Sequence, residues 1–165
     1  MLAAGLLACA GCGGRRELPR EERRQTMEGL TLSQSEKGRP SWRLESRLAV
    51  LREDERRATL TEPVMQFYRA GRAVSRVTAL SGDINTETHD VRLSSAVVLD
   101  SFEDRSHLTT TDLLYSSARK RFVTKAEITV QRPEGVLRGR GLEATPDLSE
   151  IRIFDQRSVL SGTAR

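Results

Sequence analysis

The sequence predicts an all-β fold: an antiparallel β-jellyroll, built as one long sheet that folds over on itself and stays open along an edge and at its ends. Three observations predict it. Apolar and polar residues alternate with a period of two from Trp42 onward. Short polar turns separate these segments, and no window has the i, i+3, i+4, i+7 spacing of an amphipathic helix. A strand–turn–strand pattern also repeats along the chain.

The composition limits the size of the core and the class of protein. The 165 residues are 37% apolar and only 4% aromatic, which suits a thin core rather than a thick α/β enzyme core. No stretch approaches the roughly 20 apolar residues of a membrane-spanning helix. The net charge is +4, but the arginines are interleaved with acidic residues and not with aromatic ones. This pattern argues against a nucleic-acid partner.

Residues 1–14 are small and apolar, contain the two cysteines, and are followed abruptly by charged residues. They read as the end of a secretory signal. Ala10-Gly11-Cys12 fits a bacterial lipobox, in which the cysteine becomes the acylated N-terminus, and Leu6-Leu7-Ala8-Cys9 is the alternative. Cys12 is favoured because two glycines and a polar segment follow it. An ordinary signal, a redox pair and a zinc site are the remaining interpretations.

Residues 15–40 are polar and predict a tether, within which residues 27–33 are a candidate first strand. Residues 41–162 are predicted to form a single β-jellyroll domain. Its predicted strands are residues 42–50, Ala58–Leu60, Val64–Tyr68, Val74–Leu80, Val91–Leu99, Leu108–Tyr115, Phe122–Val130, Val136–Leu142 and Ile151–Phe154.

An internal repeat of 29 residues connects the later strands. Three sets of apolar residues keep this spacing: Ile84, Leu113 and Leu142; Leu93, Phe122 and Ile151; and Ala79, Leu108 and Leu137. Each unit reads as a hairpin, which is marginal alone. Stacked hairpins would bury a continuous trough of apolar side chains.

Five short motifs follow one another along the chain: Trp42-x-Leu44, Pro63-Val64, Ser81-Gly82-Asp83-Ile84, Leu108-x-Thr110-x-x-Leu113-x-Tyr115 and Gly139-x-Gly141-Leu142-Glu143-Ala144. Over roughly residues 29–160 they resemble motifs of the LptC family, a periplasmic component of lipopolysaccharide export. The glycines of the last motif are expected to mark a bulge or bend in a strand.

The resemblance implies a periplasmic relay. Such a protein takes lipopolysaccharide from the inner-membrane ABC transporter of the Lpt system and passes it to an LptA-like bridge protein, toward the outer membrane. Many family members have an N-terminal transmembrane helix. Here the lipidated cysteine is expected to replace that helix and to anchor the domain to the inner membrane.

The apolar trough is the predicted lipid site, since it would shield acyl chains from water. The candidate inward-facing residues are Leu44, Leu48, Val50, Val77, Ala79, Ile84, Leu108, Leu113, Ile128, Val136 and Leu142. For any one of them, the alternative is that it simply packs in the core.

The first and last strands are the predicted docking edges, because unpaired backbone groups at a sheet edge can pair with another chain. The candidate residues are Leu30, Leu32, Ile151, Ile153 and Val159.

The sequence carries no recognisable catalytic or metal-binding set, and no cofactor is expected. His89 and His107 stand alone, in a predicted turn and at a strand start. Two other functions remain open: a periplasmic β-scaffold, LptA-like or otherwise, that pairs strands without lipid cargo, and a small lipoprotein enzyme.

Overall fold

The computed structural model describes residues 24–159, and every regular element in this range is a β-strand. The all-β prediction is therefore confirmed. The described residues contain no helix that could span a membrane. The strands are β1 (Arg24–Glu36), β2 (Arg39–Arg52), β3 (Arg57–Thr61), β4 (Val64–Arg69), β5 (Arg72–Thr78), β6 (Ser81–Asn85), β7 (Val91–Ser101), β8 (His107–Ser116), β9 (Arg121–Arg132), β10 (Gly135–Ala144) and β11 (Ile151–Val159).

The strands form one antiparallel sheet. β2 pairs with β4, β3 with β6 and β5 with β7, and the other pairs join strands that are consecutive along the chain. β3 and β4 lie end to end along β2. β5 and β6 lie end to end along β7. The sheet is thus a simple meander, with two of its long strands interrupted at mid-length. Within the described residues, β1 pairs only with β2 and β11 only with β10, so these two strands are the edges.

The interruptions lie near the middle of successive strands. Glu62, Ser95 and Ala96 have positive φ, and the pairing of β7 with β8 shifts between Ser94 and Val97. Equivalent shifts occur in β8 and in β10. Bulges of this kind bend a strand and increase its twist. Together they give the sheet a line along which it can fold.

Gly141 provides the bend in β10. Its φ is +76°, and a Cβ added there would lie 2.9 Å from Cδ2 of Phe154. The left-handed conformation and this close approach both require glycine. The β9–β10 pairing shifts at this position, between Arg140 and Leu142. The bend predicted from the glycine motif is therefore confirmed.

An aromatic cluster shows that the sheet is folded over. The ring centroids of Phe67 and Tyr115 are 4.8 Å apart, and those of Phe67 and Phe122 are 5.3 Å apart. Phe67 is on β4 and Tyr115 on β8, three positions apart in the sheet. In a flat sheet these strands would be about 14 Å apart. The rings can meet only because two layers of the sheet face each other.

The 29-residue repeat corresponds to pairs of strands. Ile84, Leu113 and Leu142 occupy equivalent places on β6, β8 and β10 and are almost wholly buried. The other two sets are buried as well, except that Leu137 and Ile151 are half-buried and pack against the core. The predicted stacking of repeated hairpins is therefore confirmed.

The sheet begins earlier than the sequence indicates. β1 covers residues 24–36, inside the predicted 15–40 tether, and pairs with β2 along its length. The strand at residues 81–85 was not predicted, because its polar residues Ser81 and Asp83 resemble a turn. The segment 1–14, with Cys9 and Cys12, and the predicted domain end at residue 162 lie outside the described residues. The anchor and the domain division stay predictions.

Candidate functional site

Most of the predicted trough residues lie in the core between the two layers. Eight of the eleven are buried: Leu44, Val77, Ala79, Ile84, Leu108, Leu113, Ile128 and Leu142. They belong to one continuous hydrophobic cluster, in which they pack on each other and on the aromatic cluster. These residues therefore pack on each other in the core, and their contact with lipid stays a prediction.

Leu48 and Val50 were expected to face inward with Leu44, and the structure corrects this. Both are half-buried, and neither belongs to the core cluster. Val50 lies opposite Thr26 and Thr59, which are exposed. Because directly opposed residues in a sheet point to the same side, Val50 faces outward.

The reason for the reversal is an irregularity at Ser46. Its buried Oγ accepts a hydrogen bond from the Thr61 amide at 3.1 Å and lies 2.8 Å from the carbonyl oxygens of Thr61 and Leu48. The side chain thus takes the place of a ladder bond, and the alternation slips by one residue. Ala49, and not Leu48, becomes the next buried residue.

Val136 is corrected in the same way. It lies opposite the exposed Gln131, whereas Leu137 lies opposite the buried Val130 and packs against the core. Leu137, in phase with Ala79 and Leu108, is therefore the inward residue. The 29-residue repeat could have identified Leu137 as inward-facing, because Leu137 follows Leu108 at that spacing.

The core reaches solvent at both edges of the sheet. Along β1 and β11 the half-buried side chains Met27, Leu30, Leu32, Ile151 and Ile153 pack against the core cluster. One side of each strand has no backbone partner among residues 24–159. Four of the five predicted edge residues, Leu30, Leu32, Ile151 and Ile153, thus combine a backbone edge that is unpaired among residues 24–159 with side chains that continue the apolar interior. Val159 is the last residue of β11 and lies opposite Val136.

A cavity of about 350 Å³ lies at one end of the core, beside the aromatic cluster. Phe67, Val74, Tyr115 and Pro146 give it apolar walls, and Glu36, Arg69, Lys120 and Asp147 are among its other lining residues. Burial, and then the nearby carboxylates of Glu36 and Asp90, raise the pKa of Tyr115 to about 12. Its phenol is therefore neutral near pH 7.

The β10–β11 loop, residues 145–150, closes the core beside this cavity; we call it the clasp loop. Its Leu148 side chain is fully buried. Ser101 Oγ donates a hydrogen bond to the Asp147 carbonyl at 2.6 Å, and Arg132 Nη2 donates one to the Leu148 carbonyl at 3.2 Å. Arg69 Nη1 lies 2.5 Å from the Asp147 carboxylate. The loop thus contacts β4, β7 and β9 and covers one of the ends that the sequence predicts to be open.

Asp147 is ionised within the clasp loop. Burial raises the pKa of its carboxyl group, but hydrogen bonds from Thr145 and Ser149 and the charge of Arg69 lower it by more. The pKa in the folded protein is therefore below the usual 3.8. The carboxylate is a hydrogen-bond acceptor that holds the loop in its conformation.

Asp147→Asn is expected to weaken the fold and flatten its acid dependence. A depressed folded-state pKa contributes stability above the usual value of 3.8, and that stability is lost as the pH falls through the lower folded-state pKa. The variant should therefore lose about 1–3 kcal/mol of unfolding free energy near neutral pH. Its stability should then change less on acidification than that of the wild type. Urea unfolding measured at a series of pH values checks this. The exposed turn variant Asp54→Asn is the control, and an identical acid response in the two variants would contradict the assignment.

The two histidines lie near opposite ends of the β7–β8 pair. His107 Nδ1 lies 2.6 Å from Asp100 Oδ1, but the two side chains are 40% and 49% exposed on neighbouring strands. His89 is exposed in a turn. No group of three or more His, Cys, Asp or Glu residues in the described range is placed to hold a metal ion.

In a comparison with protein-family models, residues 15–159 match the family described as "Lipopolysaccharide-assembly, LptC-related". The chain belongs to the LptC family. A search of curated protein sequences gives no match. Membership of the LptC family implies involvement in lipopolysaccharide transport, and this is a family of transport components rather than of enzymes.

Proposed function

We propose that this LptC family member is a periplasmic relay for lipopolysaccharide. It receives the lipid from the inner-membrane ABC transporter of the Lpt system and passes it to an LptA-like bridge protein. Cys12, or alternatively Cys9, carries the acyl chains that anchor it to the inner membrane. One observation carries the proposal: a continuous apolar core reaches solvent along two sheet edges that are unpaired among residues 24–159.

The energetics favour acyl chains as the cargo. Each methylene moved from water into an apolar interior gains about 0.8 kcal/mol, so ten methylenes gain about 8 kcal/mol. The buried leucines already pack on each other, so a lipid has to separate the layers. Separation is easiest at the edges. There β1 pairs with β2 and packs its half-buried side chains on the core. Its side-chain contacts to other parts of the chain include the hydrogen bond of Ser117 Oγ to Gln34 Oε1, at 3.2 Å, and the exposed ion pair between Glu36 and Lys120, a kind of contact that stabilises little.

The same edges suit the transfer step. An LptA-like strand that pairs with β1 or β11 would extend the sheet and align its own apolar face with that of the core. Leu30 and Leu32, or Ile151, Ile153 and Val159, would then line the junction. Lipid would pass from one trough to the next without crossing water.

Site-specific photo-crosslinking tests the relay. A photoreactive residue at Leu32 or Ile153, and at the buried Ile84, Leu113 or Leu142, is expected to label lipopolysaccharide when the transporter and ATP are supplied. Addition of an LptA-like protein should then reduce the lipid label. Thr59 and Arg76, exposed positions away from the core, serve as controls. Labelling at the controls alone would overturn the proposal.

The unpaired edges also favour a second candidate function, a scaffold that pairs strands without carrying lipid. Crosslinks from the edge positions to a protein partner, with no lipid label at any core position, would support this scaffold. That result would support β1 and β11 as the strands that pair with a partner, and it would exclude lipid as the cargo.

A further inference from the structure

The β10–β11 hairpin places two arginines directly opposite each other. Arg138 and Arg157 are Cα partners in adjacent strands, and both are exposed. Opposed residues in a sheet point to the same side, so the two guanidinium groups share the outer face. Like charges in this arrangement repel each other and destabilise the pairing.

The other charged rows of the same hairpin are complementary. Arg140 lies opposite Asp155, and its Nη2 is 3.4 Å from Glu127 Oε1 on β9. Glu143 lies opposite Arg152. Among residues 24–159, by contrast, no carboxylate is placed within ion-pair distance of Arg138 or Arg157. The Arg138–Arg157 pair therefore differs from the other two charged pairs, in which opposite charges lie across from each other.

The surroundings of the two arginines suit an anion. Thr129 lies opposite Arg138 on its other side, and Thr109 lies opposite Thr129, so one row across four strands carries two guanidinium groups and two hydroxyls. These four residues line a groove of about 1120 Å³ that crosses β8 to β11. The neighbouring row on the same face contains Glu127, Arg140 and Asp155, which together carry a net charge of −1. The positive charge is concentrated on the wall formed by the two arginines.

We propose that Arg138 and Arg157, with Thr129, form a binding site for a phosphate group on the outer face of the sheet. Guanidinium groups bind phosphate through two parallel hydrogen bonds, and a phosphate between them would convert a repulsive pair into a bridged one. The site is separate from the apolar core and does not depend on lipid in the trough. The phosphate could belong to a lipid headgroup or be free in solution, and both sources share this chemistry.

Thermal unfolding of the full chain in inorganic phosphate tests the site. Compared with chloride at equal ionic strength, phosphate at ten times its Kd should raise the midpoint by about 3–6 °C. The double variant Arg138→Gln, Arg157→Gln should lose this shift. Without phosphate at low ionic strength, the double variant should unfold at the same or a higher temperature than the wild type, because the repulsion is gone. Arg140→Gln is the matched control and should keep the shift.

Two further ligands separate the sources of the phosphate. Short-chain phosphatidic acid, used below its micelle-forming concentration, offers a lipid headgroup phosphate, and short-chain phosphatidylcholine is the zwitterionic control. Binding of phosphatidic acid at least tenfold tighter than inorganic phosphate, and lost in the double variant, identifies a headgroup site. Equal binding of the two phosphates, also lost in the double variant, identifies a site for free phosphate. Absence of any phosphate shift in the wild type, or an equal loss in Arg140→Gln, overturns the proposal. Lipopolysaccharide crosslinking in the core is measured separately, so each proposal can fail alone.

Discussion

Phe122→Ala is expected to lower the free energy of unfolding by about 3–5 kcal/mol, the usual cost of removing a fully buried aromatic ring. The ring of Phe122 is wholly inaccessible and packs against Phe67, 5.3 Å away, and Tyr115, 5.4 Å away. Because Phe67 belongs to the opposing layer, the cavity would open between the layers. The substitution therefore acts on the contact that keeps the sheet folded over.

Phe102→Ala is the matched control for this prediction. Phe102 is 49% exposed in the turn between β7 and β8, so the same chemical change should cost much less. Urea unfolding of both variants, followed by circular dichroism, measures the difference. Equal losses in the two variants would mean that the aromatic cluster does not hold the layers together.

Leu148→Ala is expected to cost about 2–5 kcal/mol. Leu148 is fully buried although it lies in a loop, and its φ of +59° is an unfavourable conformation for a leucine. The burial of the side chain, together with the hydrogen bonds of the clasp loop, maintains that conformation. Removing the side chain should loosen the loop, so amide hydrogen exchange should accelerate at the neighbouring end of β10, around Leu142 and Ala144.

Leu80→Ala provides the comparison, since Leu80 is 60% exposed. We expect it to change the stability by no more than about 0.5 kcal/mol and to leave hydrogen exchange in β10 unchanged. A Leu148 variant as stable as the Leu80 variant would show that the clasp loop is not part of the core.

The two layers of the sheet are held together differently at the clasp loop and at the open edges. At the clasp loop, Asp147, Leu148 and their partners tie the two layers together through buried contacts. At β1 and β11 the layers end in half-buried side chains and in backbone that has no partner on its outer side within the described part of the chain. The layers are therefore expected to separate along β1 and β11 more readily than beside the clasp loop.

The candidate site could be predicted from the sequence where a second signal supported the alternation. Ile84, Leu113 and Leu142 keep the 29-residue spacing, and all three are buried as predicted, although the strand pairing shifts beside Leu113 and Leu142. Leu48 and Val50 were assigned to the wrong face because Ser46 replaces a ladder bond with its side chain. A period of two reverses every later residue after one such slip, and the alternation from Trp42 onward gives no sign of a slip after Ser46.

What the sequence by itself determined is the local structure and the family. Period-two alternation specifies strands, the 29-residue spacing specifies that hairpins repeat, and Gly141 marks a bend, because each of these depends on neighbouring residues. The tertiary structure alone decided how far the sheet folds over and which loop closes it. The ion pair between Arg69 and Asp147 joins residues 78 positions apart, and the contact of Phe67 with Tyr115 joins different layers. Such contacts depend on the summed bend and twist of many strands, which no local pattern encodes.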